Sequence, residues 1–159
     1  MLAALADNNP VTLIEEITAA IADAMRQHDQ IRLSTLRMLK AALMNREVER
    51  GRALDPAESQ QVVTALVKQR KDSIEQFTRG GRQDLADKEA REITVLEAYL
   101  PPAVDPAAVD KAVADAIAET GAASAKDIGR VMKAVMSKLA GQNVDGKAVN
   151  EIVRRRLGP

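Results

Sequence analysis

Apolar residues recur along the chain at the three- and four-residue spacing of amphipathic helices, and no useful stretch alternates as a half-buried strand does. The first segment has this spacing, with apolar side chains at Ile14, Ile17, Ile21 and Met25. Thr12 and Glu15 form a capping-box pattern just before it, so the helix is predicted to begin there. Six further segments have comparable patterns, and the sequence therefore predicts an all-α protein.

Capping residues, prolines and glycines mark the predicted helix boundaries. Starts are expected near Thr12, Asp29, Asp55, Gln83, Asp105, Ser124 and Asp145. Ends are expected near Arg26, Gly51, Gly80, Tyr99, Gly121, Gly141 and the C-terminus.

The double proline Pro101-Pro102 is the predicted domain boundary, because it forces an extended connection. Residues 12–100 are predicted to form a larger N-terminal domain of four helices. Residues 104–159 are predicted to form a small C-terminal domain of three helices. Residues 1–11 are expected to be a loose N-terminal extension.

The second predicted helix carries apolar residues around much of its circumference. Its deepest stripe is Leu36, Leu39 and Leu43, and further apolar residues are Met38, Met44 and Val48. We therefore expect this helix to be central to its bundle and covered on several sides. Basic residues at the azimuth of the stripe are expected to pair with carboxylates; they are Arg32, Arg46 and Arg50. Arg37 and Lys40 lie off the stripe and are candidate ligand contacts.

Composition supports a folded protein built by helix packing. The chain has 46% hydrophobic and 29% charged residues, and its aromatic residues are Phe77 and Tyr99. Its net charge is zero, which excludes polyanion binding over the whole surface. Without cysteine it has no disulfide and no thiolate metal site. We see no signal-peptide pattern and no apolar run long enough for a membrane span, so the expected location is cytoplasmic.

The sequence shows no catalytic constellation. His28 is the single histidine, and alone it provides neither a metal site nor a triad, so an ordinary polar histidine near a turn is expected. The usual nucleotide-binding and metalloprotease motifs are absent. We therefore predict no catalytic, cofactor-binding or metal-binding residue, and leave open whether the protein is an enzyme.

The last 36 residues are strongly basic, with eight Lys and Arg against three Asp and Glu. On a helical wheel Lys126, Arg130 and Lys133 cluster opposite the apolar face of their helix. Two interpretations remain open: cations that solvate ordinary helices, or a surface that binds phosphates. The predicted nucleic-acid contacts are Lys126, Arg130, Lys133, Lys138, Lys147, Arg154, Arg155 and Arg156, with Arg37 and Lys40 as a second patch. With so few aromatic residues for stacking, structured RNA fits better than a single strand.

Three stretches together resemble a known family: RLSTLRMLKAALMNREVERG, VKQRKDSIEQFTRGGRQDLADKEAREITVLEAYLP and VDGKAVNEIVRRRL. Between about Leu13 and Leu157 the chain is similar to the YqeY-like, or GatB/YqeY, family. The resemblance implies an all-α fold with a small C-terminal domain similar to the C-terminal tail of the GatB protein of the tRNA-dependent amidotransferase. Proteins of this family are often labelled as carbon–nitrogen ligases with glutamine as amido-N-donor. The resemblance implies the same label here, and the label is inherited from the complete amidotransferase.

The resulting hypothesis is a non-catalytic helical module that binds tRNA or a tRNA-handling enzyme. The alternatives are a protein–protein adaptor without RNA binding, an accessory factor for tRNA amidation, and an independent enzyme.

The stretch from Lys68 to Phe77 is the most family-like part of the third helix, and the sequence leaves open whether its charges serve packing or a ligand.

Overall fold

The structure, a computed structural model, describes residues 10–158, and its regular secondary structure in this range is helical apart from one isolated bridge, Ala103 with Asn143. The seven α-helices of the described range are α1 (Leu13–Arg26), α2 (Gln30–Arg50), α3 (Pro56–Arg79), α4 (Gln83–Glu97), α5 (Pro106–Thr120), α6 (Ile128–Lys138) and α7 (Gly146–Leu157). The predicted all-α class is confirmed. The loose extension expected at residues 1–11 lies outside the described residues except for its last two.

Local capping explains most of the helix boundaries. The capping box predicted at the start of α1 is present, because Glu15 N donates to Thr12 Oγ1 and Thr12 N donates to Glu15 Oε2 at 2.8 Å. Asp55 and Glu58 repeat the arrangement at the start of α3. Helix α6 differs from the prediction, because a 3₁₀ turn, Ala125–Asp127, precedes it and it ends at Lys138.

Helices α1 to α4 form the first compact unit, which ends at Leu100. Helix α1 packs on α2, and α4 packs on both α2 and α3. The core consists of aliphatic side chains, with the largest fully buried ones at Ile17, Leu36, Leu39, Leu43, Val63 and Leu96. These helices therefore bury the leucine stripe that the sequence predicted.

Helices α5 to α7 form the second compact unit, which begins at Pro101. Its core is rich in valine and includes Val113, Val131, Val135, Val149 and Val153. Val104 N donates to Asn143 O at 3.0 Å, and Asn143 Nδ2 donates to Pro101 O at 2.9 Å. These bonds attach the segment before α5 to the loop before α7.

Helix α2 packs against α1, α3 and α4, so it is central to its bundle as predicted, but one of its apolar faces has no cover. Met38, Met44 and Val48 are 47%, 49% and 81% exposed, so the apolar side chains outside the leucine stripe face solvent. The three neighbouring helices therefore leave this face of α2 exposed within the described residues. The periodicity identified which residues are apolar, but it could not identify which face meets a neighbouring helix.

Among the described residues no helix is both long and apolar enough to cross a membrane.

Candidate binding surfaces

Helix α6 places its predicted cations on one side. Val131 and Val135 are fully buried on the other side, and Lys126, Arg130 and Lys133 are exposed. Arg130 is nevertheless neutralised locally, because its Nη2 lies 2.7 Å from Asp127 Oδ1. The pKa of the Asp127 carboxyl is lowered first by the backbone N–H of Ala123 and further by Arg130.

Acidic residues of α5 neutralise two more of the predicted cations. Lys138 Nζ lies 2.7 Å from Glu119 Oε1, and Arg156 Nη2 lies 3.8 Å from Asp110 Oδ1. Helix α5 precedes the basic tail in sequence, so a charge count over the tail alone misses these partners. The second unit as a whole has nine Lys and Arg against seven Asp and Glu from Pro101 onwards.

Three of the eight predicted cations of the second unit have no acidic or polar partner in the described part of the chain; they are Lys126, Lys133 and Arg155. Arg154 Nε donates to Asn150 Oδ1 at 2.8 Å, and Lys147 also has an interaction within the chain. The tail therefore presents fewer free cations than its sequence predicts.

Arg155 lines two shallow concavities of the second unit, each of about 360 Å³. One is also lined by Asp110, Ile152 and Arg156. The other is formed with Arg154 by residues of the 3₁₀ turn and the start of α6, Ala125 and Ile128, and by Gly158. Arg155, which has no ion-pair partner in the described residues, thus lines concavities together with apolar residues of α7 and of the segment at the start of α6.

Arg37 and Lys40, the second predicted patch, lie on α2 in the first unit. Arg37 is exposed and Lys40 is half-buried, and neither has a carboxylate partner within residues 10–158.

The expected pairing of the other basic residues of α2 is confirmed: Arg32 with Asp23 at 2.8 Å, Arg46 with Glu49 at 3.0 Å and Arg50 with Glu58 at 3.5 Å. The bond from Arg32 lowers the pKa of Asp23.

The stretch from Lys68 to Phe77 contributes a buried charge that was not predicted from the sequence. Arg70 is 4% exposed, and its Nε donates to Glu92 Oε2 of α4 at 3.0 Å. Its Nη1 donates to Leu66 O at 3.1 Å, and its Nη2 donates to Met38 Sδ of α2 at 2.8 Å. Arg70 shares the helical face of Val63 and Val67, and that spacing was the available signal. Its role is to connect three helices.

A larger cavity of about 480 Å³ lies in the first unit, where α1 and α3 begin and α2 ends. Its walls are largely apolar and include Val11, Leu54 and Pro56. Its charged lining residues are Glu16 and Glu47, and its uncharged polar ones are Thr12, Ser59, Gln60 and Tyr99. This site was not predicted from the sequence, because its residues come from four separate segments.

No arrangement of His, Asp and Glu suited to holding a metal ion occurs within residues 10–158. His28 lies in the turn between α1 and α2, as expected, with a φ of 55°.

A family model described as Yqey-like protein matches residues 14–157. Similar proteins share one name, "Altered inheritance of mitochondria protein 41, mitochondrial". The protein of Lachancea thermotolerans is 34% identical over 99 residues, covering 60% of this chain and 53% of that protein. The protein of Pyrenophora tritici-repentis is 28% identical over 150 residues, covering 92% and 81%. The protein of Saccharomyces cerevisiae strain YJM789 is 31% identical over 78 residues, covering 48% and 42%. The chain thus spans about half the length of several of these relatives.

These comparisons contradict two predictions made from the sequence, the cytoplasmic location and the tRNA-related function. The relatives are mitochondrial proteins by name, which contradicts the expected cytoplasmic location. They are named for mitochondrial inheritance, and nothing in the matches supports tRNA binding or a relationship to the amidotransferase. The physical basis of the tRNA hypothesis is also weaker than expected, because Asp127, Asp110 and Glu119 neutralise three of the cations assigned to phosphates.

Proposed function

The chain belongs to the YqeY-like family, and on that premise we propose that it is a binding module for an acidic, partly apolar segment of a partner protein. The segment binds to the second unit at the Arg155 surface. We define this surface as Arg155, Ile128 and Ile152, which line the two concavities, together with Lys126 and Lys133, the exposed free cations of the 3₁₀ turn and α6.

The position of Arg155 carries this proposal. Arg155 lines both concavities described above, and it has no acidic partner in the described residues. A carboxylate from a partner can therefore form a charge-assisted, bidentate contact without displacing an internal one. Ile128 and Ile152 line the adjoining concavities and offer contacts to apolar side chains of the same segment.

The charge and composition of this surface favour a protein segment over a nucleic acid. A phosphate backbone is bound best by many uncompensated cations, whereas several tail cations here already have partners within the chain. The second unit has no aromatic residue on which a base could stack, because Phe77 and Tyr99 both precede Pro101. A free Arg155 with Ile128 and Ile152 beside it suits alternating acidic and apolar side chains better.

The test is fluorescence anisotropy with a labelled decapeptide of alternating Glu and Leu. A Gln–Leu peptide and an RNA duplex serve as comparison probes. The variant Lys126→Gln/Lys133→Gln/Arg155→Gln removes the free cations of the surface. A matched control, Lys68→Gln/Lys88→Gln/Arg91→Gln, removes the same charge from exposed positions of the first unit.

The Glu–Leu peptide is expected to bind the wild type and the control alike, and to bind the surface variant at least about tenfold more weakly. The Gln–Leu peptide is expected to bind weakly to all three. Equal binding of the acidic peptide to both variants contradicts the proposal. A preference of the wild type for the RNA duplex contradicts the choice of a protein partner.

The relatives' names suggest the setting of this partner. We extend the mitochondrial location and the link to mitochondrial inheritance from those proteins to this chain. Saccharomyces cerevisiae cells that lack their own relative provide the test. The chain, fused to a mitochondrial leader, is expected to restore normal mitochondrial inheritance, whereas the surface variant is not. Failure of the wild-type chain to do so contradicts this extension.

We further propose that the two compact units are independent domains, with four helices before Pro101 and three after it. Each unit has its own apolar core, which supports separate folding. A fragment of residues 101–159 is expected to show helical circular dichroism and a cooperative urea transition. A fragment that stays unfolded under native conditions contradicts this division.

A further inference from the structure

The cavity in the first unit has a shape and chemistry that the proposed function does not use. We propose that it is a binding site for a small apolar molecule that carries one protonated amine. The cavity lies wholly within the first unit, so this site is separate from the Arg155 surface.

The size and walls of the cavity determine the apolar part of the ligand. A volume of about 480 Å³ lies in the range of small-molecule sites. Val11 precedes α1, Leu54 lies in the α2–α3 loop and Pro56 begins α3, so separate segments converge around a half-open space. Displacing water from these walls favours a hydrocarbon body.

Two carboxylates determine the charge of the ligand. Glu16 and Glu47 both line the cavity, and neither forms an ion pair with a cation of residues 10–158. Glu47 Oε1 accepts a long bond, 3.4 Å, from the backbone N–H of Leu54, so most of its acceptor capacity remains free. An ammonium group supplies donors for these oxygens, while an anionic ligand is repelled.

Tyr99 adds a third group suited to a cation. Tyr99 lines the same cavity, and a cation over an aromatic face is attracted by the ring quadrupole. Burial raises the pKa of the Tyr99 hydroxyl, and nearby Glu16 raises it further, whereas Arg32 opposes the shift. The hydroxyl therefore stays protonated and uncharged at neutral pH.

The protein provides its own optical probe for this site. Tyr99 is the only tyrosine and the chain has no tryptophan, so tyrosine emission reports on the cavity alone. The ligands for the titration are hexylamine, hexanol and hexanoate, which share a six-carbon chain, differ in charge and do not absorb with tyrosine. An alkylamine titrates near the lysine value of about 10.4, so hexylamine is cationic at pH 7.

Hexylamine is expected to change the emission of Tyr99 saturably, with an affinity about tenfold or more above that of hexanol. Hexanoate is expected to leave the emission unchanged. The variant Glu16→Gln/Glu47→Gln keeps the size of both side chains and should reduce hexylamine binding to the level of hexanol. The control Asp72→Asn/Glu97→Gln changes two exposed acidic residues outside the cavity and should bind hexylamine as the wild type does.

The wild-type titration already tests the proposal without any variant. The proposal is overturned if hexylamine and hexanol bind alike, or if none of the three probes changes the emission of Tyr99. It is also overturned if the control loses as much hexylamine affinity as the Glu16→Gln/Glu47→Gln variant, because binding would then reflect overall charge.

Discussion

Arg70 and Glu92 form a buried ion pair that joins α3 to α4, with 3.0 Å between Arg70 Nε and Glu92 Oε2. Only 4% of Arg70 and 7% of Glu92 are exposed. Arg70 also contacts Met38 Sδ, so the first unit places a charged group between three helices. A buried charge is tolerated only with a well-placed partner, so each member of this pair depends on the other for its burial.

Replacing only one member of this pair leaves the other charge buried without its partner. Arg70→Met is expected to lower the free energy of unfolding by about 3–5 kcal/mol, measured by urea denaturation. The double variant Arg70→Met/Glu92→Leu should be more stable than Arg70→Met, because both charges are gone. Arg79→Ala is the control on the same helix, since its pair with Glu75 is exposed and worth about 0.5 kcal/mol or less. A double variant no more stable than the single one contradicts this explanation.

The two apolar faces of α2 should respond differently to truncation. Leu39 is fully buried, and Leu39→Ala is expected to cost about 2–5 kcal/mol of unfolding free energy because it leaves a cavity. Met44 is 49% exposed, and Met44→Ala is expected to cost less than about 1 kcal/mol. Urea denaturation of both variants measures the difference. Similar losses would mean that a neighbouring element covers Met44 in solution.

The sequence predicts the local features of this fold well and the long-range ones poorly. Thr12 and Glu15 are three residues apart, so their capping box could be recognised from the chain alone. Asp110 and Arg156 meet only because α5 and α7 pack together, and no local pattern signals this pair. For that reason the cationic face of α6 was predicted, but the neutralisation of the tail by α5 was not.

Glu58 should make the stability of the first unit depend on pH. Bonds from Arg52, and then from the backbone N–H of Asp55, lower the pKa of Glu58 from 4.5 to about 2. The folded state thus prefers the ionised carboxylate, whose stabilising effect is complete above pH 4.5 and is lost as the pH falls through about 2.

Glu58→Gln removes this charge and isolates its contribution from those of other carboxylates. The difference in urea midpoint between wild type and Glu58→Gln should be constant above about pH 5.5 and shrink toward pH 2. Added salt should reduce the difference, because the Arg52 member of the pair is exposed to solvent. A difference that does not change with pH would show that Glu58 acts through its capping geometry alone.

Helix α5 should limit the binding of acidic partners. Glu119→Gln releases Lys138 from its 2.7 Å ion pair and is expected to raise the affinity for the Glu–Leu decapeptide about two- to threefold. Asp115→Asn is the matched control, because Asp115 is exposed on the same helix and no cation lies against it in the described residues. Anisotropy titrations compare the two variants. An equal gain from both would indicate a general charge effect without release of Lys138.

The position of the bound peptide tests the binding surface most directly. The unlabelled Glu–Leu decapeptide is titrated into ¹⁵N-labelled protein, and the amide chemical shifts are monitored. The residues whose shifts change locate the bound peptide. We predict shifts concentrated at residues 125–133 of the 3₁₀ turn and α6 and at residues 152–158 of α7, with Arg155 among the largest. Shifts spread evenly over both units, or confined to other helices, would contradict the Arg155 surface as the binding site.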